Sequence, residues 1–103
     1  MTPPTFADAL AACRARWGEP VDPLYWNGLE AASWEPAPGC FYALEDDADG
    51  CDLLAHAHGE ERMWLLRGTA PAGWDAPLTP LPDALAAAVA WLAERTPAPT
   101  KGP

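Results

Sequence analysis

Apolar residues recur with a helical period near the start of the chain. Four of them are spaced at i, i+4, i+7 and i+11 and so share one stripe of a helix: Phe6, Leu10, Cys13 and Trp17. Gly18, with a proline two residues further on, is a typical stop signal, because glycine accepts the left-handed cap conformation and proline cannot continue a helix. The pattern therefore predicts a first helix that ends at Trp17.

A second helical stripe lies near the end of the chain and comprises Leu81, Leu85, Ala88, Val89 and Leu92. This helix is expected to begin near Pro82, since proline is tolerated in a first helical turn, and to run to Arg95. Asp83 near its start and Arg95 near its end both suit the helix dipole. Residues 97–103 alternate proline with small residues, which predicts a flexible tail.

Three short apolar runs lie between the helices, at residues 41–44, 53–56 and 63–66. They are separated by an acidic turn at residues 47–50 and by Gly59-Glu60, which predicts a three-stranded antiparallel meander. With Leu44 opposite Leu53, alternate residues of the three strands form one strongly apolar face. We expect the helices to cover that face.

The opposite face of the meander mixes apolar and polar side chains. Its apolar members are Phe41, Ala43, Leu54, Met63 and Leu65, and its polar members include His56, His58, Asp52 and Arg67. A face of this kind is too apolar to be left wholly in water. One hypothesis is therefore a structural homodimer that buries Phe41, Leu54, Met63 and Leu65 between two copies.

Residues 19–39 are interrupted by four prolines and two glycines. A short helix over residues 24–32 and a strand around Trp34 are both compatible with this segment. The predicted fold is thus α+β: an N-terminal helix, a Pro/Trp-rich irregular segment, the three-stranded antiparallel meander, and a C-terminal helix packed on one sheet face. The length suits one domain, which we place at residues 1–96.

The charge of the chain restricts its partners. Its 103 residues include fifteen acidic and six basic ones, for a formal net charge of −9. The predicted element order resembles the double-stranded RNA-binding domain, but that domain binds phosphates through spaced basic residues, and Lys101 is the only lysine here. The sequence therefore argues against direct binding of nucleic acid or anionic lipid and favours a protein partner with a basic patch.

The cysteines indicate a reducing compartment. Cys13, Cys40 and Cys51 form an odd set without a CxxC pair, so neither a disulfide framework nor a zinc ribbon is predicted. The first residues show no signal-peptide pattern, and no apolar run is long enough to span a membrane. We expect a soluble cytoplasmic protein.

No catalytic grouping stands out. Ser33 is the only serine and lies in no GxSxG motif, and the chain has no glycine-rich phosphate loop. We therefore predict a protein that is not an enzyme and that uses no cofactor.

A small metal-binding protein is the alternative hypothesis. His56 and His58 would share one strand face with Asp52, and imidazoles so placed can bind a transition metal. The carboxylates that imitate the start of a calcium loop are Glu45, Asp47 and Asp49. The twelfth position of that loop should be a bidentate glutamate and is His56, so a solvated turn is the preferred interpretation.

The tryptophans provide the strongest functional signal. Trp26, Trp34 and Trp74 lie in Pro-rich segments, where they act either as buried anchors or as an exposed aromatic patch rimmed by acids. The leading hypothesis is a small acidic interaction module, such as an inhibitor, an immunity-type protein, an adaptor or a chaperone-like subunit. Its predicted partner-binding residues are Tyr25, Trp26, Trp34, Trp74, Glu45, Asp46, Asp47 and Asp49.

Overall fold

The computed structural model describes residues 4–21, 30–46, 49–70 and 72–95. In chain order the elements are α1 (Phe6–Trp17), β1 (Glu30–Ala37), β2 (Cys40–Asp46), β3 (Gly50–Ala57), β4 (Glu60–Gly68) and α2 (Leu81–Arg95). The strands form one antiparallel sheet in the order β1-β2-β3-β4. The α+β class with a helix at each end is confirmed, but the prediction of three strands is wrong, because the described part of the chain has four.

The additional strand is β1, which lies within residues 19–39, the segment for which the sequence left open both a helix over residues 24–32 and a strand around Trp34. The strand is confirmed, and residues 22–29 lie outside the described residues. A bulge between Trp34 and Ala37 interrupts its pairing with β2. This irregularity accommodates Pro36, which lacks an N–H and is tolerated in an edge strand. Pro38 and Gly39 then turn the chain into β2, with Gly39 at a φ of +77°, the conformation that favours glycine at this turn position.

The register of the meander follows the predicted faces. Leu44 lies opposite Leu53, as predicted. The β3–β4 turn consists of His58 and Gly59 rather than Gly59 and Glu60, and both turn residues have positive φ values, 52° and 86°, as a type I′ turn requires. The turn is one residue earlier than predicted, which shifts the register by two. Because side chains alternate with a period of two, that shift keeps the predicted faces.

A β-bulge in β4 moves one side chain to the other face. Asp52 pairs with Leu65, whereas the preceding Cys51 pairs with Arg67, so β4 carries one extra residue between these pairs. Opposite residues in a ladder point to the same side. Arg67 consequently lies with Cys51 rather than on the opposite face predicted from strict alternation, and there it forms an ion pair with Asp46.

The first helix begins at a capping box and ends at Trp17, as predicted. Thr5 caps α1, since its hydroxyl accepts a hydrogen bond from the Asp8 N–H (3.1 Å) while the Asp8 carboxylate accepts one from the Thr5 N–H (3.2 Å). Gly18 ends α1 at a φ of +83° and donates its N–H to the Arg14 carbonyl. The second helix, α2, covers the residues predicted for it.

The main core lies between the helices and one face of the sheet. The helices contribute Ala9, Cys13, Ala84, Leu85, Ala88 and Leu92, and the strands contribute Ala32, Trp34, Cys40, Tyr42, Leu44, Cys51, Leu53, Ala55, Ala57, Trp64 and Leu66. A second, smaller cluster of Ala43, Leu54 and Met63 lies on the other face, with Ala76 packed against it. The predicted apolar face is therefore the one that the helices cover.

The predicted tail at residues 97–103 lies outside the described residues. Within residues 4–21, 30–46, 49–70 and 72–95, no helix combines the length and apolarity needed to cross a bilayer.

Candidate functional site

Trp34, one of the predicted partner-binding residues, is a core residue in β1. It is 3% exposed, and its indole N–H donates to the Gly18 carbonyl at 2.8 Å. Its ring lies 5.5 Å from that of Trp17 at an angle of 56°. Trp34 thus ties β1 to the end of α1, and only a small part of its indole reaches solvent.

Trp74 lies at the opposite edge of the sheet from Trp34. It is 38% exposed and precedes a segment that runs beside β4, where Leu78 forms a parallel bridge with Leu65. The Leu65 N–H donates to the Pro77 carbonyl at 3.0 Å, and the Leu65 carbonyl accepts from Thr79 at 2.7 Å. The two tryptophans therefore belong to separate surfaces.

The acidic residues predicted for binding lie at a third place, the β2–β3 end of the sheet. Glu45 and Asp46 are half-buried at the end of β2, and Asp49 is exposed. Asp46 is already paired with Arg67. The remaining predicted residues, Tyr25, Trp26 and Asp47, lie outside the described residues.

The two histidines of the metal hypothesis have different neighbours. His56 stacks on Phe41, with ring centroids 4.6 Å apart and an angle of 16°. His58 lies in the turn after β3, and its Nε2 is 3.6 Å from the Cys40 Sγ. Among the residues that the structure describes, no three His, Cys, Asp or Glu side chains are grouped so as to hold a metal ion.

The apolar face proposed for a homodimer is largely buried within one chain. Leu54, Met63 and Leu65 are 9%, 4% and 6% exposed. Ala76 contributes to this cover by packing on the cluster that contains Leu54 and Met63. A second copy would therefore find little apolar area of these three residues left to bury.

A cleft opens where the end of α1 meets the outer edge of β1. It is lined by Trp17, Glu19, Val21, Trp34, Glu35 and Pro36, and its volume is about 200 Å³. Of its two indoles, Trp17 is half-buried and Trp34 is 3% exposed, so Trp17 presents the larger aromatic area to the cleft. Among the described lining residues, the charged ones are Glu19 and Glu35. A shallower depression of about 290 Å³, lined by Glu35, Pro36, Ala37 and Pro38, adjoins it.

Local backbone geometry brings these residues together. Gly18 turns the chain at the end of α1, so that Glu19 and Val21 run beside β1. The Val21 N–H donates to the Ser33 carbonyl at 2.8 Å, which fixes that segment on the edge of the strand. On the core side, the hydrogen bond from the Trp34 indole N–H to the Gly18 carbonyl also holds the end of α1 against β1.

The aromatic wall of the cleft is supported by the core. The Trp17 ring is stacked on Tyr42, with centroids 3.9 Å apart and planes 7° from parallel, and Trp34 meets it at 56°. Tyr42 is 4% exposed and does not line the cleft. Trp17 and Trp34 are therefore held in an angled arrangement that does not depend on a ligand.

The two carboxylates of the cleft differ in their surroundings. Glu19 pairs with Arg14 at 3.2 Å, in an exposed ion pair that contributes little to stability. Glu35 is exposed, and within the described ranges no cation pairs with it. Of the two glutamates, Glu35 is therefore the one whose carboxylate has no cation paired with it among the described residues.

The support beneath the cleft is also apolar in character: burial raises the pKa of Tyr42, and the positive charge of Arg16 opposes that rise.

Of the cleft residues, the sequence predicted only Trp34 as a contact. The sequence pattern places Trp17 on the core stripe of α1, and it shows no motif around Val21, Glu35 or Pro36. A weak signal was present, since each of the two indoles is followed within two residues by a glutamate.

Comparison of the chain with models of protein families, with curated proteins and with solved structures gives no match.

Proposed function

We propose that this protein is a small acidic interaction module, and that the cleft between Trp17 and Glu35 receives a cationic side chain of a basic protein partner. The observation that supports the proposal is that one cleft is lined by a half-buried indole, Trp17, and by two exposed glutamates, Glu19 and Glu35. Indole faces attract cations, and a carboxylate beside them supplies the counter-charge. This is binding chemistry, and it requires no cofactor.

The size of the cleft favours a single side chain as its occupant. About 200 Å³ is below the roughly 300–1,000 Å³ typical of sites for small molecules. The adjoining depression over Ala37 and Pro38 offers room for a neighbouring residue of the same partner. A peptide segment or protein loop fits these two hollows better than a metabolite does.

The sheet edges favour recognition through side chains rather than through strand addition. Val21 occupies part of the β1 edge, and Pro36 at the bulge removes a donor from the rest. The β4 edge is bridged at Leu65 by Leu78. Proline, bulges and covering segments of this kind protect edge strands from pairing with other chains.

The overall charge supports the same type of partner. A formal net charge of −9 attracts a basic protein over distances comparable to the Debye length, which speeds and orients the encounter. Trp74, Glu45, Asp46 and Asp49 are proposed as secondary contacts, each outside the cleft.

The test is affinity purification with three baits: the natural protein, Glu35→Gln and Glu94→Gln. Glu94 lies on α2, and its side chain is 75% exposed, so Glu94→Gln removes one surface charge away from the cleft. We expect one basic partner whose retention decreases with salt and with Glu35→Gln but not with Glu94→Gln. An exposed charge pair contributes up to about 1 kcal/mol, so affinity should fall about fivefold.

Two results would contradict the proposal. One is a partner whose affinity is the same for Glu35→Gln and for the natural protein. The other is the absence of any retained protein whose binding responds to salt. Circular dichroism of the two variants, which we expect to match the natural protein, ensures that altered binding does not reflect unfolding.

A further inference from the structure

We infer that the cleft selects the guanidinium group of arginine over the ammonium group of lysine; this inference rests on the proposed function and specifies its ligand. It is based on the exposed part of the Trp17 indole, on the acceptor character of the other side chains, and on how the protein's own arginines are placed.

The indole wall suits a flat cation. Tyr42 is stacked on one face of the Trp17 ring, and the buried Trp34 ring contacts Trp17 at 56° with centroids 5.5 Å apart, so a ligand reaches the part of the Trp17 indole that these rings leave exposed. A guanidinium is planar and can lie flat against the exposed part of the Trp17 indole, whereas an ammonium is a compact, strongly hydrated point charge. An open cleft does not remove that hydration, so lysine gains less from the same walls.

The polar atoms of the cleft side chains are mostly acceptors. The Trp34 N–H already donates to the Gly18 carbonyl, so among the described lining residues Trp17 carries the remaining side-chain N–H. Glu19 and Glu35 supply carboxylate oxygens. Arginine carries five N–H donors in a fixed fork and no acceptor, which matches carboxylates better than any other side chain does.

The chain already shows both halves of this interaction. The Arg95 guanidinium lies over the Trp91 ring, 4.0 Å from its centroid, and the Arg14 Nε lies 3.2 Å from a Glu19 carboxylate oxygen. The cleft places an indole wall and a carboxylate together with no cation of the described residues on Glu35. Arg14 partly neutralises Glu19, so Glu35 is the residue that distinguishes the ligands.

The inference is tested by titrating the full chain with blocked pentapeptides of sequence Gly-Gly-X-Gly-Gly, in which X is arginine, lysine or citrulline. The readout is the set of indole N–H signals in two-dimensional NMR spectra, with those of Trp17 and Trp34 assigned by substitution with phenylalanine. Citrulline keeps the planar shape of arginine without its charge. Peptides this small should bind with a Kd of about 1 mM or weaker.

We expect the arginine peptide to shift the Trp17 signal and to bind about three- to tenfold more tightly than the lysine peptide. The citrulline peptide should bind at least about tenfold more weakly than arginine. Glu35→Gln should weaken arginine binding about fivefold, and Arg14→Gln, which frees Glu19, should strengthen it. Glu94→Gln should leave all three affinities unchanged.

Equal affinities for arginine and lysine would overturn the inference while leaving the proposed function intact, because a general cation site would still receive a basic partner. Equal affinities for arginine and citrulline would also overturn it, since charge would then not matter. Shifts with none of the peptides would overturn the inference as well, and the purification with Glu35→Gln would then decide the proposed function separately.

Discussion

Replacing Trp34 by alanine should destabilise the protein far more than replacing Trp74, although both tryptophans follow from the sequence as candidate contacts. Trp34 is 3% exposed, contacts Trp17 and donates a hydrogen bond to Gly18, whereas Trp74 is 38% exposed. Removing a buried aromatic ring typically costs about 3–5 kcal/mol. A partly exposed surface ring should cost about 1 kcal/mol or less.

Urea denaturation followed by far-ultraviolet circular dichroism measures these costs without relying on tryptophan fluorescence. A domain of this size is stable by about 5–15 kcal/mol. The Trp34→Ala protein should therefore be folded but less stable or, at the low end of that range, unfolded. Each kcal/mol lowers the Tm by about 4–8 °C in such a domain, which corresponds to a fall of at least about 12 °C. Trp34→Phe keeps a ring but loses the hydrogen bond, and should cost about 1–3 kcal/mol.

The placement of Trp34 would be refuted if Trp34→Ala were within about 1 kcal/mol of the natural protein, or if Trp74→Ala cost as much. Trp34→Phe provides a second measurement where Trp34→Ala does not fold. A stability equal to that of the natural protein in Trp34→Phe would argue against the hydrogen bond to Gly18.

Two further predictions concern β-sheet geometry and pH. Gly68 and Gly73 both have positive φ (+80° and +87°), but only a Cβ on Gly68 would collide with the Asp49 carbonyl. Gly73→Ala should cost about 1–2 kcal/mol and Gly68→Ala clearly more in urea denaturation; equal costs would contradict this close approach. Burial raises the pKa of Cys13 and Cys51 from 9.0 to about 12, with the Asp46 carboxylate adding to the rise at Cys51. The unfolded chain should therefore lose these protons first, so the free energy of unfolding should fall from pH 9 towards pH 12, and less steeply in a variant with both cysteines replaced by alanine.

The elements that the sequence predicted correctly are those with a strong period and clear ends. The stripe of α1 is closed by Gly18, and the runs of β2 and β3 alternate around a turn that sets Leu44 opposite Leu53. β1 was left open because Pro36 and Pro38 resemble loop residues, and only pairing with β2 shows that one lies in a bulge and the other in a turn. The residues around Arg67 likewise contain no sequence pattern that predicts the bulge in β4.

The cleft could not be found from sequence patterns for a similar reason. Trp17 belongs to a helical stripe and Glu35 to a Pro-rich segment, and their approach depends on how α1 lies over the end of β1. Periodicity predicts which face of an element is apolar, but it does not predict which residues of two elements meet at a corner. Glu19, which also lines the cleft, is positioned by the turn at Gly18.

The residues of the cleft fall into two groups: those that belong to the core, and exposed ones that can be substituted without disturbing the fold. Trp17 and Trp34 pack with the core, so the proposed partner would not need to order them on binding. For the same reason, a tryptophan variant that loses binding is expected to lose stability as well, which circular dichroism would show. Glu19 and Glu35 are exposed and contribute little to stability, so substituting them tests the proposed interaction almost independently of the fold. The carboxylates, rather than the tryptophans, are therefore the residues at which the proposed function should be tested.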